Sequence, residues 1–241
     1  MTRRTTLVAG VVAVLAVASG AQAQLFIGGD QDSSSAFEVV TGSDWERSTG
    51  ADDCCNPINL INGNGFVAGN GAGGWGTHTN SAWTNTTNGG NYWLTDKNKF
   101  GIQPSDYLGI PTADQAFVAL KFNQLESPGD IRVWNNNDSC CLNRGLQQMR
   151  VQISTLDNPS QPSDWTDLGI YTLQEGPGSE SYEGELLGAG PFTARHVVLS
   201  SIETYGGSNP VLSEVRFLVP EPASIGLLVL GGLMVARRRR A

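Results

Sequence analysis

The sequence predicts an all-β domain, built as a sandwich or a barrel of short strands. After Gln24 the chain breaks into short segments, separated every few residues by Gly, Asn, Ser, Asp or Pro. No stretch of ten or more residues has a clean 3.6-residue apolar period, so helices are not predicted there. Seven segments instead alternate with a period of two or hold short β-branched runs, as strands do: 36–40, 116–122, 130–134, 149–153, 168–173, 194–199 and 212–217.

The first 23 residues have the composition of a secretory signal peptide. Arg3 and Arg4 give a positive start, residues 7–18 are an unbroken apolar run, and Ala21-Gln22-Ala23 forms a small-x-small cleavage site. The alternative is a membrane-spanning helix, but twelve apolar residues are fewer than the roughly 20 that a span needs. We therefore predict export, with residues 1–23 as a signal helix.

The last residues, 219–241, form a second targeting segment. A Pro-Glu-Pro triplet is followed by an apolar run over residues 225–236 and then by four arginines. This three-part pattern resembles the PEP-CTERM sorting signal, which implies processing by an exosortase-type membrane protease and delivery to the cell surface or the extracellular matrix. In this interpretation the hydrophobic helix anchors the protein in the membrane only until it is cleaved. The alternative is a plain C-terminal membrane anchor. The residues that carry the pattern are Pro220, Glu221, Pro222, Arg237, Arg238, Arg239 and Arg240.

The region between these ends is acidic. Six of the 15 basic residues and one of the 23 acidic residues lie in the two ends, which leaves 9 basic and 22 acidic residues, a net charge near −13. Such a surface repels the phosphates of nucleic acids and of anionic lipids, so a nucleic acid partner is not predicted. Neutral glycans and cations are compatible with it, and acidity also serves solubility.

The four cysteines form two adjacent pairs, Cys54-Cys55 and Cys140-Cys141. Export places them in an oxidising compartment, where disulfides persist, and four cysteines allow three connectivities. A bond between neighbours closes a small strained ring, so the sequence favours bonds from one pair to the other. A zinc site is the alternative, but it normally needs Cys-x-x-Cys spacing.

Residues 62–98 are rich in Gly, Asn, Thr and Trp and poor in aliphatic side chains, which predicts long loops. Loops on a rigid scaffold commonly carry binding residues, and an exposed ring is a platform for the apolar face of a sugar. Alternatively, these rings plug a glycine-rich region. No Gly-x-Ser-x-Gly or His-Glu-x-x-His motif is present, so no catalytic residue is predicted. The candidate ligand-binding residues are Trp75, His78, Trp83, Tyr92 and Trp93.

The end of the region carries a family resemblance. An Ala-Arg-x-Val strand at 194–199, a Tyr-Gly-Gly loop at 205–207 and a Leu-Ser-Glu-Val-x-Phe strand at 212–217 follow Asn59-Leu60-Ile61-Asn62-Gly63 in order. This arrangement resembles the galactose-binding-like, discoidin-type domain over about residues 56–217 of the region 24–218. The resemblance implies a jelly-roll β-sandwich of about eight antiparallel strands and non-catalytic binding through loops at one end. It places Trp134 and Trp165 in the core.

The same resemblance implies a structural calcium ion (Ca2+). Its ligands would be Asn62, Asn64, the carbonyl of Gly65 and Glu214, since calcium takes six to eight oxygen ligands. Asn62 stands where the family usually has Asp, which removes one charge from the site. The alternative for Glu214 is a solvent-facing strand residue.

The predicted protein is thus an exported cell-surface or extracellular-matrix component with a non-catalytic binding domain, for carbohydrate or exopolysaccharide. A structural or protein-binding adhesin of the biofilm matrix is the second interpretation, and a polysaccharide-active enzyme is the third. Glycan binding predicts aromatic and polar groups clustered at one end. A structural role predicts featureless loop ends, and an enzyme predicts a deep cleft with a carboxylate pair of perturbed acidity.

Overall fold

The computed structural model describes residues 37–42, 57–61, 63, 66–67, 77–78, 93–94, 108–109, 116–179 and 181–219. The predicted signal peptide and sorting tail lie outside these residues, as do Cys54, Cys55, Asn62, Asn64, Gly65, Trp75, Trp83 and Tyr92. Within the described part, no helix has the length and apolar character needed to cross a membrane.

Eleven strands make up the described fold, and they form two main sheets. The strands are β1 (Phe37–Gly42), β2 (Phe66–Val67), β3 (Thr77–His78), β4 (Trp93–Leu94), β5 (Phe117–Glu126), β6 (Asp130–Asn135), β7 (Leu146–Ser154), β8 (Thr166–Thr172), β9 (Glu185–Leu186), β10 (Ala194–Thr204) and β11 (Val211–Leu218). One sheet has the order β1-β5-β10-β7-β8, the other has the order β4-β11-β6-β9, and β2 pairs with β3. All the strand pairs are antiparallel.

The hydrophobic core lies between the two main sheets. Val118, Leu120 and Phe122 alternate along β5 and join one continuous buried cluster with side chains of β6, β7, β10 and β11. Phe122 of the five-stranded sheet meets Phe217 of the four-stranded sheet edge to face, with ring centroids 4.8 Å apart. These contacts confirm the predicted β-sandwich, and each of the seven predicted strand segments overlaps a strand.

The outer face of the five-stranded sheet is also buried over part of its area. The alternate residues Phe117, Ala119 and Val198 form a second apolar cluster with Trp165, against which Leu108 packs. The Trp165 indole donates a hydrogen bond to the Leu108 carbonyl at 3.0 Å. A β-carbon at Gly109 would lie 2.6 Å from the Ser160 carbonyl, so only glycine fits there without displacement. Trp134 and Trp165 are both buried, as the family resemblance implies.

His196 is a buried strand side chain on this outer face. Its Nε2 lies 3.0 Å from the Asp157 carbonyl and its ring contacts the Trp165 ring edge to face. Burial lowers the pKa of His196 below its usual 6.5, and the cations Lys121 and Arg195 add to this effect, while hydrogen bonding to Asp157 opposes it.

This pKa shift predicts acid sensitivity. The lowered folded-state pKa means that the unfolded chain takes up the His196 proton first, so its contribution to stability is present above pH 6.5 and is lost as pH falls. We expect His196→Gln to flatten the fall in the free energy of unfolding below pH 6.5, measured by chemical denaturation. His78→Gln, at the other histidine, is the control; an unchanged pH profile in His196→Gln would contradict the prediction.

Candidate functional site

Three loops meet at one end of the sandwich. They comprise residues 136–145, 173–184 and 205–210, and we call this region the three-loop end. The strand register brings them together, because Leu146 pairs with Thr204, Gln148 with Thr172, and Leu212 with Asn135. The chain therefore passes from one strand to the next at this end, through loops that connect β6 to β7, β8 to β9 and β10 to β11. These loops can place side chains in positions that the regular geometry of a strand does not allow.

Asn135, the last residue of β6, is the hub of the three-loop end. Its fully buried side chain donates to the carbonyls of Leu146 (2.7 Å) and Gln174 (2.8 Å). Its Oδ1 accepts from the backbone N–H groups of Leu146 (2.8 Å) and Asn136 (2.9 Å). Both amide donors are used and the carbonyl accepts twice, so one side chain ties β6, β7 and the 173–184 loop together.

The next three residues continue this buried polar network. Asn136 donates to the Cys141 carbonyl (2.7 Å), and its Oδ1 accepts from the Asp138 N–H (3.1 Å). Asn137 donates to the Ser179 carbonyl (2.7 Å), and its Oδ1 accepts from the N–H of Gly178 (2.8 Å). All of these side-chain hydrogen bonds are made with backbone groups, and they fix the loops that they connect.

Close backbone approaches tighten the same end. A β-carbon at Gly176 would lie 2.0 Å from the Asn136 carbonyl, and one at Gly207 would lie 2.7 Å from Arg144 Cα, so both contacts require glycine. The Tyr205 hydroxyl donates to the Leu173 carbonyl. These contacts fix the 173–184 and 205–210 loops relative to the first loop.

The disulfide prediction is wrong for one cysteine pair. Cys140 and Cys141 are bonded to each other, with Cα atoms 3.8 Å apart, and are not cross-linked to the other pair. The turn accommodates this bond: the Cys141 N–H donates to the Asp138 carbonyl (3.0 Å), and the Cys140 N–H donates to Asp138 Oδ1 (3.1 Å). The preference for bonds between the pairs was based on ring strain alone and did not include the hydrogen-bonded turn in which both cysteines lie.

Glu214 is fully buried, so the solvent-facing alternative for this residue is wrong. It lies on β11 with its Oε1 2.6 Å from Nη2 of Arg216, which is also fully buried. Burial raises the pKa of Glu214 to about 8, although Arg216 opposes the shift. Its Oε2 has no hydrogen-bond partner among the described residues.

Arg132 lies opposite Arg216 on the neighbouring strand β6. Its guanidinium donates to the carbonyls of Glu183 (2.9 Å) and Gly184 (3.2 Å), and it lies 5.7 Å from the centroid of the Trp134 ring. Burial lowers the pKa of Arg132 to about 10. This side chain thereby fastens the far side of the 173–184 loop to the four-stranded sheet.

The predicted ligand-binding residues have different outcomes. Trp93 lies in β4 and packs in the hydrophobic core, so it is not an exposed sugar platform; its pairing with Leu212 directs it inward. His78 lies in the two-residue strand β3, which pairs with β2. The other three candidates lie outside the described residues. Sequence reasoning missed Asn135, Asn136 and Asn137, although three consecutive asparagines directly after the predicted strand 130–134 are a turn signal.

No protein-family model matches the chain, and no curated protein matches it. Among solved structures, the chain is similar to the C-terminal domain of a chitobiase from Bacteroides fragilis, with a TM-score of 0.47 and 12% identity, over 77% of this chain and 96% of that chain. It is also similar to the CBM32-5 module of GH89 from Clostridium perfringens in complex with GalNAc-β-1,3-galactose (TM-score 0.39, 12% identity, 76% and 95% covered). A third is GH31 CBM32-2 bound to GalNAc (TM-score 0.42, 10% identity, 76% and 97% covered).

These structural neighbours include family 32 carbohydrate-binding modules, of the galactose-binding-like class that the sequence resembles. Some of the modules belong to glycoside hydrolases. With TM-scores below 0.5 and identities of 10–12%, the likeness does not define what this chain binds.

Proposed function

We propose that this chain is an exported cell-surface or extracellular-matrix protein whose sandwich is a non-catalytic carbohydrate-binding domain. The observation that carries the proposal is the buried network from Asn135 to Asp138, which ties the 136–145 and 173–184 loops together, while Tyr205 and the Gly207 N–H fasten the 205–210 loop to them. A preorganised surface binds a ligand without the entropic cost of ordering loops. Rigid loops on a β-scaffold are therefore suited to recognition.

The exposed groups at this end suit a neutral, hydroxyl-rich ligand. Asn143, Glu175 and Ser208 are exposed and Arg144 is half-buried, so amide, carboxylate, hydroxyl and guanidinium groups surround the loops. Sugar hydroxyls both donate and accept hydrogen bonds and match such a mixed set. The acidic balance of the chain disfavours polyanionic ligands. Trp75, Trp83 and Tyr92 remain our proposed aromatic contacts.

Calcium remains part of the proposal. The buried Glu214 carboxylate has one oxygen without a hydrogen-bond partner in the described part of the chain, which fits a cation ligand. The turn at Pro57–Leu60 packs against β11, so the chain leading to Asn62, Asn64 and Gly65 starts beside this strand. Arg216 already pairs with the Glu214 carboxylate, and this pairing would weaken the binding of a calcium ion. When bound, the ion would supply structural cross-linking of these segments.

Export and sorting complete the proposal. The basic start and Ala21-Gln22-Ala23 support secretion, and the Pro-Glu-Pro tail supports processing by an exosortase-type protease. The mature protein would then lie in the cell envelope, on the surface or in the extracellular matrix, where exopolysaccharide is available as a ligand.

The test is a glycan and polysaccharide array that includes galactose, N-acetylgalactosamine and bacterial exopolysaccharides. The protein is purified from an oxidising compartment and assayed with calcium and with chelator, alongside its thermal melt. We expect binding that Arg144→Ala and Trp75→Ala each weaken at least tenfold, whereas Leu156→Ala, an exposed residue in the loop after β7, leaves it unchanged. Failure of the folded protein to bind any glycan would favour the adhesin interpretation. A melting temperature that is the same with calcium and with chelator would contradict the proposed calcium site.

A further inference from the structure

We propose that the Cys140–Cys141 disulfide is itself a ligand contact, an apolar platform against which the C–H face of a sugar ring packs. This inference rests on the proposed carbohydrate-binding function and names one of its contact surfaces. Cys140 is exposed and Cys141 is half-buried, so the bond lies at the surface of the first loop of the three-loop end.

Loop closure in the unfolded chain does not account for this bond. In the chain-entropy description, a disulfide stabilises a protein by closing a loop in the unfolded chain, and the effect grows with the length of the loop. Cys140 and Cys141 are neighbours in sequence, so their bond closes the shortest loop possible. Its contribution to stability by that route is minimal, which leaves the surface chemistry of the bonded sulfurs as the property to explain.

Oxidation changes that surface chemistry. A thiol is a weak hydrogen-bond donor, whereas the sulfurs of a disulfide carry no hydrogen and present a soft, polarisable, apolar surface. Cys140 Sγ lies 3.4 Å from Asp138 Oδ2, and because the sulfur of a disulfide carries no hydrogen, this contact is not a hydrogen bond. The bonded sulfurs thus form a compact surface without hydrogen-bond donors, bordered on one side by the buried Asp138 carboxylate.

Hydrogen bonds to the backbone hold the two cysteines in place. The Cys140 N–H is bound by the Asp138 carboxylate (3.1 Å), and the Cys141 carbonyl accepts from Asn136 Nδ2 (2.7 Å) and from the Arg144 N–H (3.0 Å). The N–H groups of both cysteines and the Cys141 carbonyl are thus bonded within the loop, and Cys140 is exposed at its surface. A fixed apolar surface needs no ordering when a ligand packs on it.

Polar groups border the patch as a sugar would require. Asn143 is exposed and Arg144 is half-buried in the 3-10 turn Leu142–Arg144, directly after the disulfide. A pyranose has an apolar face of C–H groups and an equatorial rim of hydroxyls, so it suits an apolar platform with hydrogen-bonding groups at its edge. The tyrosines here serve other contacts, since the hydroxyl of Tyr205 binds the Leu173 carbonyl and that of Tyr182 binds the Asn135 N–H.

The test compares two matched variants of the full chain on the same array, Cys140→Ser/Cys141→Ser and Cys54→Ser/Cys55→Ser. For the glycan that the unmodified protein binds most tightly, we expect the first variant to bind at least tenfold more weakly, with a melting temperature close to that of the parent. The second variant retains the Cys140–Cys141 bond and should bind within twofold of the parent if it folds. Equal binding by the first variant would overturn the inference and leave the carbohydrate-binding function standing.

A measurement on the unmodified protein covers the case in which a variant does not fold. The rate at which dithiothreitol reduces Cys140–Cys141 is followed by alkylation and peptide mass spectrometry, with and without a saturating amount of the bound glycan. We expect at least a tenfold slower reduction in its presence, because a ring packed on the sulfurs excludes the reductant. An unchanged rate overturns the platform, whereas a protein that binds no glycan at all overturns the proposed function and this inference together.

Discussion

At pH 9, where the Glu214 carboxyl is ionised, Arg216→Met should lower the free energy of unfolding by about 3–5 kcal/mol, since it leaves that buried carboxylate without its counter-charge. Both side chains are fully buried and lie 2.6 Å apart, so neither can recover hydration in the folded state. The loss should grow as pH rises above about 8, because the pKa of Glu214 lies at about 8 in the parent and is raised further when Arg216, which opposes the shift, is removed. Urea denaturation between pH 6 and pH 9 measures the effect.

The double variant Glu214→Gln/Arg216→Met is the matched control. It removes both charges, and we expect it to recover most of the stability that the single variant loses. If the single and double variants are equally destabilised, the loss comes from packing and not from the unpaired carboxylate. A single variant within about 0.5 kcal/mol of the parent would show that the pair is not buried in solution.

Asn135→Ala should lower the free energy of unfolding by about 3–4 kcal/mol, because it leaves four backbone groups at the three-loop end without their partner. The side chain is fully buried, so water cannot readily replace it. Chemical denaturation gives the magnitude, and hydrogen exchange at the amides of Leu146 and Asn136 reports whether the loss is local. Asn158→Ala, at an exposed asparagine, is the control and should change stability by less than about 0.5 kcal/mol.

The strands were accessible to sequence reasoning because their apolar residues follow a regular period. Val118, Leu120 and Phe122 of β5 face the core in alternation. The same period on β11 points Val215 and Phe217 into the core and places Glu214 and Arg216 together on the other face of that strand. The period does not say whether that second face is exposed. Glu214 was therefore open to a solvent-facing interpretation until the structure showed it to be buried.

The candidate site was less predictable because it depends on contacts between distant loops. Asn135 reaches Gln174, 39 residues away, and Asn137 reaches Ser179, 42 residues away. No local pattern encodes such partners. The aromatic-rich segment attracted attention through composition alone, and Trp93 shows the weakness of that signal, since its ring belongs to the core. The adjacent disulfide was missed for a related reason: ring strain was judged without the turn that holds both cysteines.

The reliance of the three-loop end on asparagine has a consequence for chemical ageing. Spontaneous deamidation converts an asparagine amide to a carboxylate, which exchanges two N–H donors for an acceptor. At Asn135 the new carboxylate oxygen would face the carbonyls of Leu146 and Gln174, so repulsion would replace two hydrogen bonds. Burial within the network restrains the backbone motion that this reaction needs. A protein exposed for long periods outside the cell would thus keep its loops intact only while the fold itself shields the amides on which they depend.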